Sequence, residues 1–477
     1  MKIKLLVIIA SFFILPLAIT SCLGSSDNDY ELSSDDTITA FELDKIYGVN
    51  YKFTIDQARG EIYNQDSVPY SSDTIINKIL ITTLAASPWI VTGDTIFNIN
   101  DSVDFKQTMT DEGEIKPLEF KVNAPNGETS KTYKIWVNRH RVDPDSLVWG
   151  TDPYTQSFTG GQIAQAQATK MITLGNHILM FASNGANLQI YWGPSKNAWT
   201  PIVHETTDTP ARPLENVNVH SAITFNDEAY IIANSGSSIY RSKDGETWES
   251  VANDITWTPA GNLEMVTLIT SFYSKDDNNG NLVEKNLAAI VKDNNSMAFA
   301  TAVKGDAGEL VWTKGATVPS DFPTGTLSAT KSFTTLTGGQ QAMLISSASE
   351  EDTATTPWFS EDGLDWGKMV TTAKYALPKW KKPTILHYGN TLYAFGGAYN
   401  SDATNDFSSI YTSVNGIVWT EIKRGFFFPN NNGVSKFKGR KEYSITVDKD
   451  HYIWMGWGNN SDEVWRGKLN RVAFDKQ

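Results

Sequence analysis

Residues 242–248 read SKDGETW. A charged turn carrying one glycine ends on a tryptophan, the side chain with the largest apolar surface to lose by staying in water. The pattern returns as SEDGLDW at 360–366 and SVNGIVW at 413–419. Each copy follows an aromatic strand end: IYRSKDGETWE (239–249), WFSEDGLDWG (358–367) and IYTSVNGIVWT (410–420). IYWGPSKNAWT (190–200) keeps Ser195 and Trp199, AFATAVKGDAGELVWT (298–313) is a degenerate copy, and VWRGKLNRVAF (464–474) is truncated. The aromatics Tyr191, Tyr240, Phe299, Phe359, Tyr411 and Trp465 stand 49, 59, 60, 52 and 54 residues apart. A period of that length implies a radial or stacked array of supersecondary units.

A second hairpin keeps the same beat: MITLGNHILMF (171–181), AITFNDEAYII (222–232), TTLTGGQQAMLI (334–345), TILHYGNTLYAF (384–395) and SITVDKDHYIWM (444–455). Their turns use Gly, Asn and Asp, which tolerate positive φ. Two hairpins per repeat make a four-stranded sheet, and six sheets around an axis make a six-bladed β-propeller. The last copy lacks a tryptophan strand, but SLVWG (146–150) resembles ELVWT (309–313). Leu147 to Trp149 are therefore expected to supply the outer strand of the last blade, removing an exposed edge; the alternative is that Arg471 to Phe474 form it.

The turns resemble the Asp-box of sialidase-type and related propellers, one residue shorter. Ser242, Asp244, Gly245 and Trp248 match, as do Ser360, Asp362, Gly363 and Trp366; Ser413, Asn415, Gly416 and Trp419 match with Asn for Asp. The resemblance implies that Ser and Asp close the turn and that the indole packs between blades. In physical terms, their oxygens accept backbone N–H groups and glycine takes the positive φ. These aspartates are read as structural, because such turns lie away from the central channel.

The chain before this domain is also β-type, and the whole is all-β. LEFKVNA (118–124) and TYKIWVN (132–138) flank Pro125-Asn126-Gly127, a strong hairpin signal with Phe120, Val122, Tyr133, Ile135 and Val137 as the inward set. TITAFEL, YKFTID, KILITTL and DTIFNI are further strand candidates. The rhythm fits an Ig-like β-sandwich at 37–143, with the propeller at 144–477 and Asp143-Pro144-Asp145 as the break.

The N-terminus reads MKIKLLVIIASFFILPLAITSC. Lys2 and Lys4, an apolar stretch broken by Pro16, and small residues before the only cysteine make residues 1–21 a secretory signal rather than a span. Ile19-Thr20-Ser21-Cys22 resembles the bacterial lipobox, which implies lipidation of Cys22, with outer-membrane lipid as its partner. Residues 22–36 are acidic and serine-rich, a disordered tether resembling the export tag of Bacteroidetes surface lipoproteins. The whole chain resembles a family of such lipoproteins with an N-terminal Ig-like domain and a C-terminal Asp-box, kelch-like β-propeller. An outer-membrane location is expected, facing outward, with a periplasm-facing orientation as the alternative.

The net charge is −14, and −16 once Lys2 and Lys4 leave with the signal. That balance argues against nucleic acid, whose phosphates need clustered cations. Sialidases carry an Arg-Ile-Pro motif, and none occurs here; Arg212, Arg241, Arg424, Arg440, Arg466 and Arg471 are the arginines of the repeat region. The six histidines form no H-x-H or H-E-x-x-H, so neither zinc nor any cofactor is expected. KDDNNGN (275–281) reads as a hairpin tip, its glycine misplaced for a calcium loop. No catalytic residue is assigned.

Loops entering the first strand of each blade carry His220, Lys331, Lys381, Lys382, Arg440 and Lys441. His220, Lys331, Lys382, Arg440 and Lys441 are candidates to hold an anionic ligand such as an acidic glycan; the structural reading is that these cations merely flank strands. Phe427, in RGFFFPNNNG (424–433), is a candidate contact, since three consecutive aromatics cannot all face one core. The functional expectation is non-enzymatic recognition of a glycan or a surface protein. The alternatives are a glycoside hydrolase with channel-mouth carboxylates and an accessory subunit of a nutrient-uptake complex.

Overall fold

The structure, a computed structural model, describes residues 31–470 apart from 71–75, 87–88, 110–113, 141–142, 155–164, 186, 196–197, 256–262, 276–281, 324–325, 334–339, 424, 426 and 459–461. The signal and Cys22, Arg424, Phe426, most of the 275–281 tip and the 471–474 strand alternative lie outside the described residues. None of the described helices is long and apolar enough to cross a membrane. The chain divides into two units between Arg141 and Val142, two residues before the expected break.

The N-terminal unit has two sheets. One joins Ile38–Leu43, Ile79–Ala86 and Ser102–Val103; the other runs Phe53–Asp56, Glu61–Asn64, Ser130–Trp136, Leu118–Asn123, Trp89–Thr92 and Thr95–Ile96 in spatial order. The expected hairpin forms, with Asn123 opposite Ser130 and Gly127 at φ +73°. Phe120, Val122, Tyr133, Ile135 and Val137 are all fully buried in one apolar core that both sheets share. Alternation is what sends these residues inward, since successive side chains leave a strand on opposite faces. The Tyr133 hydroxyl donates to Gln57 Oε1 at 2.6 Å and accepts the Ile38 N–H at 3.1 Å, so its buried polar end is satisfied.

Among the described residues of the C-terminal unit the repeat becomes six meander sheets, four antiparallel strands each, with Glu205–Thr206 and Asn253–Ile255 added in parallel at the outer edges of the second and third. Sheet one is Ala168–Leu174, His177–Ser183, Leu188–Ser195 and Ala198–Ile202. Sheet two is Asn218–Phe225, Glu228–Ala233, Ser238–Ser242 and Thr247–Ser250; sheet three is Glu264–Lys275, Leu282–Asp293, Ser296–Lys304 and Leu310–Thr317. Sheet four is Leu327–Phe333, Gln340–Ser346, Trp358–Ser360 and Gly367–Lys368; sheet five is Trp380–Tyr388, Thr391–Ala398, Tyr411–Ser413 and Thr420–Glu421. Sheet six takes Glu442–Val447, Ile453–Gly458 and Val464–Leu469 from the chain end and Leu147–Trp149 from its start. Leu147 pairs with Leu469 and Trp149 with Gly467, so both ends of the unit share one sheet.

The indole at each outer strand packs back on the preceding sheet. Trp248 of sheet two lies with Leu179 and Phe181 of sheet one, Trp312 with Tyr230 and Ile239, and Trp419 with Met343 and Ile345. Trp366 meets Phe299 at 6.4 Å between ring centroids, and Trp149 meets Phe437 at 5.9 Å. Trp199 lies with Trp454 and Val464 of sheet six, which returns the sequence of contacts to its start. An aromatic of this size withdraws 150–250 Å² from water, about 4–6 kcal/mol of transfer free energy each.

The turns that deliver these indoles are closed by side-chain hydrogen bonds, and two of the three also bond their indole N–H, Trp366 Nε1 being buried without a partner among the described residues. Asp244 Oδ1 accepts the N–H of Glu246 at 2.8 Å and of Thr247 at 2.9 Å, Ser242 Oγ accepts that of Gly245 at 2.8 Å, and the Trp248 indole donates to the Gly245 carbonyl at 2.9 Å. Asn415, Ser413 and Trp419 repeat every one of these bonds. In the third copy Ser360 Oγ accepts the Gly363 N–H at 2.8 Å and Asp362 Oδ1 the Leu364 N–H at 2.8 Å. Gly245 needs its lack of a side chain twice: φ is +82°, and a Cβ would press on Leu179 at 3.0 Å.

Candidate functional site

Six innermost strands surround a cavity of about 760 Å³, and all six contribute to its wall. Their polar groups join neighbour to neighbour. Thr224 Oγ1 donates to the Thr173 carbonyl at 2.7 Å, Asn218 Nδ2 to the Val266 carbonyl at 3.1 Å, and Lys331 Nζ to Ser271 Oγ at 2.7 Å. The His387 N–H then donates to Thr330 Oγ1 at 2.8 Å, Thr384 and Tyr443 share a hydroxyl contact of 2.8 Å, and the Thr169 N–H donates to Glu442 Oε1 at 2.7 Å. The circuit closes on the strand where it began. Serine and threonine suit this position because the inner edge of each sheet must satisfy polar groups without filling the channel.

Two groups of charge stand in this wall. In the first, Lys331 Nζ lies 2.9 Å from Glu284 Oε1 and 4.1 Å from the Tyr273 ring centroid. Glu284 also accepts Ser271 Oγ at 2.5 Å and the Asn226 N–H at 2.7 Å. Burial opposes the charge on Glu284, yet the Lys331 ammonium and these hydrogen bonds hold its carboxyl below the usual range. This group ties sheets two, three and four together.

The second group is Lys170, His220, Lys382 and Glu442. Lys382 Nζ is 2.5 Å from Glu442 Oε1, which also accepts the Thr169 hydroxyl at 3.0 Å. Lys382 adopts φ +54°, left-handed backbone that a non-glycine residue enters at a cost, just where the strand bulges before Pro383. The Lys382 N–H donates to Ser347 Oγ and its carbonyl accepts the Tyr443 hydroxyl, both at 2.8 Å, so the conformation is held from two sides. Burial pulls the Lys382 ammonium below its usual range, opposed by Glu442. Burial and the Lys382 charge pull Lys170 down to about 8. Burial, with Lys382 and Lys170 beside it, pulls His220 down to about 3, so its ring is neutral at pH 7.

Of the residues expected to bind, the structure brings His220, Lys331 and Lys382 into the channel wall. Arg440 and Lys441 are not there. The Arg440 guanidinium is 2.5 Å from Glu463 and 5.0 Å over the Trp457 ring, in a separate surface recess with Lys436 and Trp465. Lys441 is exposed. The innermost strand begins at Glu442, so the acidic neighbour of Lys441 is the residue placed beside Lys382. Phe427 is exposed and its carbonyl accepts the Trp149 indole at 2.8 Å, whereas Phe428 is buried among Phe395, Phe407 and Phe437. Lys170, Glu284, Glu442 and His387 were not singled out in the sequence. The signal for Lys170 lay one residue before the quoted hairpin, a lysine between Thr169 and Met171 in an otherwise apolar strand.

A ring of meander sheets around a polar channel, its last sheet built from both ends of the unit, is a β-propeller. The chain belongs to the DUF6242 family: the model of the DUF6242 beta propeller domain matches residues 143–477 and that of the DUF6242 N-terminal domain residues 24–137. Among solved structures, the chain is similar to AofleA from Arthrobotrys oligospora (13 % identity, 67 % of this chain and 86 % of that one, TM-score 0.38). It is also similar to a neuraminidase-like protein from A/bat/Guatemala (12 %, 69 % and 97 %, TM-score 0.37) and to a structural genomics protein of unknown function from Bacteroides thetaiotaomicron (8 %, 93 % and 100 %, TM-score 0.35). These likenesses carry no function to this chain. No curated protein matches it.

Proposed function

We propose that the protein is a surface lipoprotein, anchored through Cys22, whose six-bladed propeller recognises a glycan or a surface protein without catalysis, raised from the membrane on an Ig-like spacer. The three hydrogen-bonded turns then serve as Asp-boxes in a structural sense only. The observation that carries this reading is the state of the carboxylates at the channel: Glu284 in its wall and Glu442 beside it each face a lysine within 2.9 Å and each accept a backbone N–H, which leaves Asp227 as the one lining carboxylate outside such a pair among the described residues. A glycosidase needs one carboxyl held neutral as acid and one free as base or nucleophile. Two carboxylates committed to lysines serve neither role, whereas a cationic, hydroxyl-lined channel suits binding.

The test is a glycan array probed with the mature protein, followed by hydrolysis assays on every hit. Binding without turnover is the expected result. Turnover that one carboxylate substitution abolishes would replace this reading with an enzymatic one. Anchoring is tested separately by fatty-acid labelling of intact cells, which Cys22→Ala is expected to abolish.

A further inference from the structure

The cluster of Lys170, His220, Lys382 and Glu442 has an uneven charge balance. Lys382 and Glu442 compensate one another at 2.5 Å. Neutral His220 contributes a ring N–H donor and no charge. Lys170 is held by no ion pair or hydrogen bond among the described residues, and it lines the channel with its surface partly exposed to the cavity. The cluster therefore carries one uncompensated positive charge in a site that burial makes costly for it. A half-buried cation with no partner among the described residues gives up hydration without a replacement, and a fold that keeps one leaves a place for a counter-charge from outside. The neighbouring strain points the same way, because the left-handed Lys382 is the kind of backbone feature that concentrates at ligand sites.

We propose that this end of the channel binds one singly charged anionic group on a sugar, the carboxylate of a uronic acid or a sulfate ester, with Lys170 as its counter-ion and His220 as a neutral donor. The proposal deepens the recognition reading and rests on it for the ligand being a sugar. A single net charge selects a monoanion over a phosphate monoester, which brings close to two charges at pH 7. The Lys382–Glu442 pair acts as a fixed wall: its lysine faces the anion, and its carboxylate is already occupied by Thr169. The cavity of about 760 Å³ falls within the range of small-ligand sites, roughly 300–1,000 Å³, and accepts a sugar around the charged group.

Proton linkage gives a signature that a merely structural lysine would not show. Lys170 is largely neutral above pH 8 in the free protein, and a bound anion restores its charge, so binding at pH 9 takes up a proton. The other ionisable groups of this wall are His220 and Asp227 from sheet two, Tyr273 and Glu284 from sheet three, Lys331 from sheet four, Lys382 and His387 from sheet five, and Tyr443 from sheet six, with Glu442 beside Lys382.

The experiment is isothermal titration of the mature protein with methyl glucuronide, glucose 6-sulfate, methyl glucoside and glucose 6-phosphate, at pH 7 and in two pH 9 buffers of different ionisation enthalpy. At least one of the two monoanionic sugars is expected to bind, and the carboxylate and sulfate arms tell which source supplies the charge. The neutral sugar and the phosphate are expected to bind at least about tenfold more weakly. Lys170→Met should lose about tenfold or more in affinity and the proton uptake at pH 9, while Lys170→Arg keeps most of the affinity. Thermal melts confirm that both variants fold. Failure of both monoanionic sugars to bind, or equal affinity in Lys170→Met, overturns the proposal. A neutral glycan bound equally by wild type and Lys170→Met leaves glycan recognition standing and removes the channel assignment. Lys170-dependent binding of methyl glucuronide with no array hit does the opposite.

Discussion

At the outer turn of sheet two, Asp244 Oδ1 works for the turn itself: it accepts two backbone N–H groups and the Ser242 hydroxyl at 3.0 Å. In the channel, Lys170 meets no opposite charge among the described residues, and the charge that acts on it is a second lysine. Both places are polar, and both belong to the same repeat. The turn spends Asp244 Oδ1 and the Ser242 hydroxyl on its own backbone and on each other. The channel leaves a charge unspent. Polarity alone therefore does not mark a site in this protein; unmet hydrogen-bonding and charge do.

The comparison breaks most visibly at the indoles that the turns serve. Trp248→Ala is expected to lower stability by about 3–5 kcal/mol, because a cavity opens between two sheets where the indole packs on Leu179 and Phe181; denaturant melts measure it. Lys382→Met is next, at roughly 3 kcal/mol, since it leaves Glu442 buried without its cation. An unchanged or raised stability in Lys382→Met would contradict the pairing described above.

Lys170→Met carries the opposite sign. Its folded-state value of about 8 lies below the 10.5 of the unfolded chain, so the charged lysine burdens the fold at pH 7. The unfolded chain binds the extra proton between pH 8 and 10.5, and wild-type stability rises with pH across that window. The substitution is expected to add up to roughly 3 kcal/mol at pH 7, reduced by whatever water in the channel screens. The gain should shrink toward zero by pH 10.5, a difference readable in paired melts. A loss of stability at pH 7 would mean that Lys170 has a partner and that the contrast with the turns is false.

The smallest effects sharpen the turn side. Asp244→Ala should cost about 1–2 kcal/mol because two backbone N–H donors lose their acceptor. Asp244→Asn should cost only a few tenths, because Asn415 makes the same bonds in sheet five. A large penalty for Asn would show that the negative charge matters and would reopen a ligand role for these turns.

How much of this was readable beforehand differs between the two places. The turns were legible residue by residue, since Ser, Asp or Asn, Gly and Trp act on one another within seven positions. The channel was legible in part. His220 and Lys382 stand out because a charge interrupts a strand that must be inner, but the window opened one residue late for Lys170. Arg440 and Lys441 were misplaced by one or two positions, and in a strand a shift of one residue exchanges the faces. Glu442 reaches Thr169 across 273 residues of chain, and no local pattern announces such a meeting.

From the sequence alone come the repeat, its turns, its indole wedges and the return of residues 147–149 to the last sheet, because each depends on contacts between near neighbours or on a motif copied at a regular period. Which charges meet, which are cancelled and which one is left over is decided only when six strands from distant parts of the chain face a common axis. Hydrogen-bonded turns are written locally; an electrostatic environment is the sum over everything the fold brings near.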